Sequence, residues 1–145
     1  MSAKPSPAAQ SASDRQRLKL LHWWFALGAA MVAFVIAGSL LNVGTPVPVT
    51  GVDKVQHTLA YTAMTWWWGM VQPRRKYAWA IAMVALGGAL EWGQSLTPYR
   101  HMDWADAVYN TIGVAAGLVL LLTPARHIVP WLDRQISDRL DARAS

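Results

Sequence analysis

The sequence has no cysteine, which excludes disulfides, thiolate-bound metals and a cysteine nucleophile. It is also poor in charge. Only 14% of its residues are Asp, Glu, Lys or Arg, where an ordinary soluble domain carries about 25%. No GxSxG, HExxH or P-loop pattern occurs, so no nucleophile elbow, zincin helix or phosphate-cradling loop can be read from it. The net charge of +5 does not point to a nucleic-acid partner. The basic residues are separated by apolar segments and form no patch interleaved with aromatics. No internal repeat is evident, and 145 residues suffice for one domain.

What the chain does have is hydrophobic length and tryptophan. Hydrophobic residues make up 54% of it, and nine are Trp. A first uncharged run extends from Leu20 to Leu41. A bilayer core needs about 20 helical residues, and the apolar core of a cleaved signal peptide spans only about 7–15. The run therefore reads as a membrane span. Further spans are expected over Val55–Val71, Tyr77–Leu96 and Asp103–Thr123. Gly44, Pro46 and Pro48 mark the first connection, QPRRK (Gln72–Lys76) the second and Pro98 the third. The expected fold is an all-α membrane protein, a four-transmembrane-helix bundle with an amphipathic C-terminal helix. Residues 1–19 read as a flexible basic arm, 20–123 as the membrane domain and 124–145 as a basic cytoplasmic tail. In that tail Val129, Leu132, Ile136 and Leu140 share a face, with Asp133, Arg134, Asp138 and Arg139 between them. This predicts a helix lying on the inner leaflet, or one that docks a partner.

Orientation follows from Lys and Arg. The arm, the second connection and the tail hold eleven of the thirteen, leaving only Lys54 and Arg100 for the other side. Both termini are expected in the cytoplasm, in a bacterial inner membrane. Trp23, Trp24, Trp66, Trp67, Trp68 and Trp79 then fall near the cytoplasmic interface, and Trp92 and Trp104 near the outer one. Indole favours that depth.

Polar residues collect toward the outer ends. Asp53, His57 and Tyr61 recur every four residues and share one face of the second helix. Glu91 and Gln94 share a face of the third. Asp103, Asp106, Asn110, Gly113 and Gly117 form one stripe on the fourth. Much of this has plain structural explanations. Asp53 with Gln56, and Asp103 with Asp106, match capping boxes. Gly113 and Gly117 form a GxxxG, most simply a close-packing face. Tyr61 suits an ordinary membrane aromatic and His57 a hydrogen-bonded packing residue. His22, His101 and His127 carry little weight. Glu91 is harder to explain away. It lies inside the end of its helix after a long apolar stretch, so no cap accounts for it, and a carboxylate at that depth requires a partner.

The ordered set DKVQHTLAY (Asp53–Tyr61) and EWGQSLTPYRHMDWADAVYNTIGVAAG (Glu91–Gly117) resembles the VanZ-like family of small bacterial membrane proteins. The matching residues are Asp53, Lys54 and His57; Glu91 and Gln94; Arg100; then Asp103, Asp106, Asn110, Gly113 and Gly117. The resemblance covers roughly residues 20–122. It implies a multi-pass protein of the cell envelope. The family's namesake is associated with resistance to the glycopeptide antibiotic teicoplanin.

The first functional expectation is a binding or accessory protein. Asp53, Lys54, His57, Glu91, Gln94, Arg100, Asp103, Asp106 and Asn110 would bind an envelope lipid or a glycopeptide, with Lys54 and Arg100 holding its phosphate or carboxylate. The alternative is a membrane-embedded enzyme acting on a lipid-linked substrate. Its catalytic candidates are His57, Glu91 and Asp106, with His57 as general base or all three around a divalent ion. A proton or ion pathway is disfavoured, since nothing polar continues through the cytoplasmic half. No cofactor and no metal ligand set is assigned from sequence. The expected partners are the bilayer and that lipid or glycopeptide.

Overall fold

The computed structural model describes residues 18–40, 52–96 and 104–144. Arg100, Asp103, His101, the first and third connections and most of the N-terminal arm lie outside them. The described residues are all α-helical, apart from short turns and two 3-10 segments. The helices are α1 (Leu21–Leu40), α2 (Val52–Val71), α3 (Lys76–Ser95), α4 (Trp104–Leu120) and α5 (Ile128–Ala144). The 3-10 turns Pro73–Arg75 and Pro124–His127 precede α3 and α5.

Local chemistry sets these boundaries. Pro73 disfavours helical backbone at the residue before it, and α2 stops at Val71. Pro124 follows α4, and the Thr123 side chain accepts the Ala125 N–H at 3.2 Å to cap the turn. Within α2, α3 and α4 no proline interrupts the chain, so none of their internal backbone hydrogen bonds is removed. One boundary differs from the sequence reading. α2 begins at Val52, so Asp53 and Lys54 sit within its first turn and Asp53 is not positioned as the residue before the helix.

Among the described residues, α1 alone is long and apolar enough to cross a membrane. α4 meets that test only together with the segment Pro124–Ala144, across a 78° bend. α2 and α3 have the length, 20 residues each, but not the mean hydropathy. Asp53, Lys54, Gln56 and His57 dilute one, and Lys76, Glu91 and Gln94 the other.

α2 is the central element. Tyr61, Met64 and Trp68 bury against Ala80 and Met83 of α3 and Val114 of α4. Trp68 stacks on Trp79 at 4.0 Å with the rings 13° apart, and Phe25 meets its edge at 5.0 Å. Trp24 and Trp68 are thus core side chains, 8% and 3% exposed. Three tryptophans in a row on one helix cannot share a direction, so one of them turns inward.

α4 lies against α2 almost backbone to backbone. A Cβ on Gly113 would stand 2.5 Å from the Thr58 carbonyl oxygen and 2.9 Å from Tyr61 Cβ. One on Gly117 would stand 2.7 Å from Thr65 Cβ and 2.8 Å from the Thr62 carbonyl oxygen. The GxxxG therefore does what its spacing suggests. The closeness also brings the Thr62 hydroxyl within 3.0 Å of the Gly113 carbonyl oxygen, which shares the hydroxyl's one proton with the Thr58 carbonyl oxygen of α2 at 2.7 Å.

At the opposite end, α5 is pinned to the start of α1. Asp133 is 3% exposed. Its carboxylate accepts the backbone N–H of Lys19 (2.8 Å), the N–H of Leu20 (2.9 Å) and the indole N–H of Trp24 (2.7 Å). A carboxylate from a distant helix thus satisfies amides at the N-terminus of α1, where the helix dipole also favours negative charge. This corrects the placement of Asp133 on a polar face. The stripe that turns inward is Val129–Asp133–Ser137, while Ile136 and Leu140 line a shallow apolar groove with Leu20, Trp23, Trp24 and Leu27. Lys19 also pairs with Asp141 at 3.1 Å, and that hydrogen bond and charge hold the Lys19 ammonium above its ordinary range. The pair is solvent-exposed and adds little stability.

Candidate functional site

Three helix ends meet where the polar residues lie: the start of α2, the end of α3 and the start of α4. The close α2–α4 approach brings the His57 face against the Asp106–Asn110 stripe. His57 Nδ1 is 2.9 Å from Asn110 Oδ1, and Asn110 is 2% exposed. With the amide in this orientation, Nδ1 carries the proton and donates. In the neutral ring, Nε2 then presents a lone pair. That nitrogen faces Asp106 Oδ2 at 3.7 Å, too far for a hydrogen bond.

Lys54 borders the group one turn toward the helix start. Its ammonium lies 3.4 Å from Asp53 Oδ2 and 3.5 Å from Asp106 Oδ1. Asp53 is exposed and forms the rim. Asp106 is better buried, its side chain 14% exposed, and its Oδ1 is a buried atom without a hydrogen bond among the described residues.

α3 supplies the floor. Glu91 is 1% exposed and faces the bundle interior. One ligand atom each from His57, Glu91 and Asp106 lie within 4.8 Å of one another. Gly87, one turn from Glu91, allows α3 to approach Asn110: a Cβ there would be 3.1 Å from Asn110 Nδ2 and 3.4 Å from the Tyr61 hydroxyl. Tyr61 is 1% exposed, and its hydroxyl has no hydrogen-bond partner among the described residues. It lies beside Asn110, within electrostatic range of Glu91.

Of the residues expected from sequence, Lys54, His57, Glu91, Asp106 and Asn110 come together, with Asp53 at the edge and Tyr61 beneath. Gln94 is buried but engaged elsewhere: its amide donates to the Ser39 carbonyl of α1 at 3.0 Å. Its geometry is that of a brace between α3 and α1. Arg100 and Asp103 fall outside the described residues. Sequence reasoning missed Thr58 and Thr62, whose hydroxyls reach Tyr109 O (3.4 Å) and Gly113 O (3.0 Å) on α4. Their spacing of four, matched to the glycine spacing, was the signal.

No family model, curated protein or solved structure matches the chain. The functional reading therefore stands on this geometry and on the ordered motif.

Proposed function

We propose that this chain is a VanZ-like, four-span protein of a bacterial inner membrane that binds the anionic head of an envelope amphiphile at its polar end. The observation that carries this reading is the convergence of Lys54, His57, Glu91, Asp106 and Asn110 at one end of a bundle whose sides are apolar.

The sides support a lipid setting. Phe34, Leu59, Ile81, Val119 and Leu122 are between 59% and 78% exposed and lie on all four of the helices and the turn after them. Water would leave this surface as a severe aggregation liability, and lipid would solvate it. Helices of 20 residues are about 30 Å long, which matches a hydrocarbon core. The distribution of Lys and Arg supports cytoplasmic termini and an outward-facing polar end. There Lys54, with Arg100 from the adjoining connection, offers cations to a phosphate or carboxylate, and Asp53 and Asp106 position the ammonium. A glycopeptide carboxylate presents the same chemistry. By resemblance, a role in antibiotic resistance belongs to this reading.

The test is retention of anionic envelope lipids, and of teicoplanin, by purified protein in detergent. The wild type is expected to retain an anionic ligand over a zwitterionic one. Lys54→Ala and Arg100→Ala are each expected to weaken that retention about tenfold, the loss of one charge-assisted contact. Equal retention by wild type and both variants, all folded, would remove the reading.

A second reading is a membrane-embedded enzyme on a lipid-linked substrate. It is favoured by one observation: Asn110 orients the His57 ring so that Nε2 faces the open end beside Asp106. Turnover of labelled envelope lipid that is lost in His57→Gln separates it from binding alone.

A further inference from the structure

We propose that His57, Glu91 and Asp106 form a binding site for a single divalent first-row transition ion, of which zinc is the reference case. Nε2 of His57 and one carboxylate oxygen each of Glu91 and Asp106 are the ligands. The inference rests on the folded cluster alone and does not require the headgroup reading.

Three features carry it. The first is the donor set. One imidazole and two carboxylates, with donor atoms within 4.8 Å of one another on three different helices, suit zinc or manganese; an all-oxygen shell would suit calcium or magnesium. Tetrahedral bonds of about 2.0–2.1 Å place ligand atoms about 3.3 Å apart. His57 Nε2 and Asp106 Oδ2 are already 3.7 Å apart, so small side-chain rotations close the shell.

The second is the outer layer. A metal-binding imidazole donates its other ring N–H to a carbonyl or carboxylate, which fixes the tautomer and aims the ligating nitrogen. Asn110 Oδ1, on a residue 2% exposed, accepts the hydrogen bond from Nδ1–H, with 2.9 Å between the heavy atoms. Nε2 is left facing an acidic oxygen at a distance too long for a hydrogen bond, and a shared cation joins two such lone pairs.

The third is the Tyr61 hydroxyl, buried beside Asn110, within electrostatic range of Glu91 and without a hydrogen-bond partner among the described residues. A buried phenol lacking a partner is costly. A water on the fourth position of the ion, or a ligand oxygen there, would provide that partner. Access is from the polar end, where the His57 and Asp106 side chains are 19% and 14% exposed, while Glu91 closes the floor. Lys54 holds Asp106 Oδ1 and leaves Oδ2 for the ion.

The experiment uses the untagged full chain, purified in detergent, stripped with chelator and titrated with zinc, with cobalt as a spectroscopic stand-in. One zinc per chain is expected, with cobalt giving the intense visible bands of a four-coordinate site. His57→Gln and Glu91→Gln are each expected to lower zinc affinity at least tenfold and to remove the bands. The variant carrying both His22→Gln and His127→Gln, whose changes lie at the other end of the molecule, is expected to bind as the wild type does. Binding that survives His57→Gln and Glu91→Gln, or that is lost in the His22 and His127 variant, would overturn the site. So would failure of the folded wild type to bind zinc at micromolar concentration. If lipid retention persists in chelator while zinc fails to bind, the metal proposal falls and the headgroup reading stands. If zinc binds and no anionic ligand is retained, the reverse holds.

Discussion

Replacing Asp133 with alanine is expected to destabilise the protein by about 3 kcal/mol and to release α5 from the bundle. The carboxylate accepts three N–H groups at 2.7–2.9 Å. Two are backbone amides at the head of α1, and the third is a buried indole. Hydrogen bonds to an ionised group contribute about 1.5–3 kcal/mol each, and the sum is not additive, because the amides regain water when the carboxylate goes. Asp133→Asn keeps an acceptor oxygen but loses the charge, so it is expected to cost about half as much. Denaturant unfolding in detergent reads the stability. Protease cleavage within α5, at the exposed Arg134 and Arg139, reads its release. An alanine variant as stable and as resistant as the wild type would show that α5 docks through Val129 and Leu132 alone.

The second large effect is expected at the α2–α4 contact. Gly113→Ala and Gly117→Ala each put a methyl group within 3 Å of α2, against backbone as well as side chain. Exchange of Gly for Ala in a helix favours the helix by about 1 kcal/mol, whereas overpacking against fixed atoms costs about 1–3 kcal/mol. Overlap wins here, because the Thr58 and Thr62 carbonyls cannot move without breaking α2. The net expectation is a loss of about 2 kcal/mol for Ala. With Leu the helices separate, and the His57–Asn110 contact goes with them. Gly88→Ala is the internal control: a methyl group there meets nothing within 4 Å, and the variant is expected to be neutral or slightly more stable. Equal behaviour at all three glycines would contradict the packing.

These two contacts differ in how far the sequence disclosed them. The GxxxG was legible because small residues at a spacing of four have one dominant use between apolar helices. The polar stripe was legible because a period near 3.6 fixes which residues share a face, and an acid that follows a long apolar stretch is expected to face inward; Glu91 does. Asp133 was not legible. In WLDRQIS (Trp131–Ser137) it reads as one more charge on a solvated face, and only its neighbour across the fold, the start of α1, gives it a partner. Gln94 illustrates the same limit. It shares a face with Glu91, yet it bonds to Ser39, which no local pattern connects to it. Nor could the run itself tell which of Trp66, Trp67 and Trp68 turns into the core; it is Trp68. The membrane count was the least secure. The polar residues that build the candidate site are the ones that pull α2 below the hydropathy of a span.

The central claim is that the polar residues of α2, α3 and α4 form one site at the end of a bundle, remote from the Lys19–Asp141 end. The chain has no cysteine, so paired cysteines in native membranes test it against a clean background. The pairs are 57 with 110, 19 with 141, and 57 with 141, treated with a short thiol crosslinker. The account predicts efficient intrachain links for the first two, whose native side chains lie 2.9 Å and 3.1 Å apart, and none for the third. No link between 57 and 110 in a chain that still links 19 to 141 would contradict it, because the bundle would then be folded without its site.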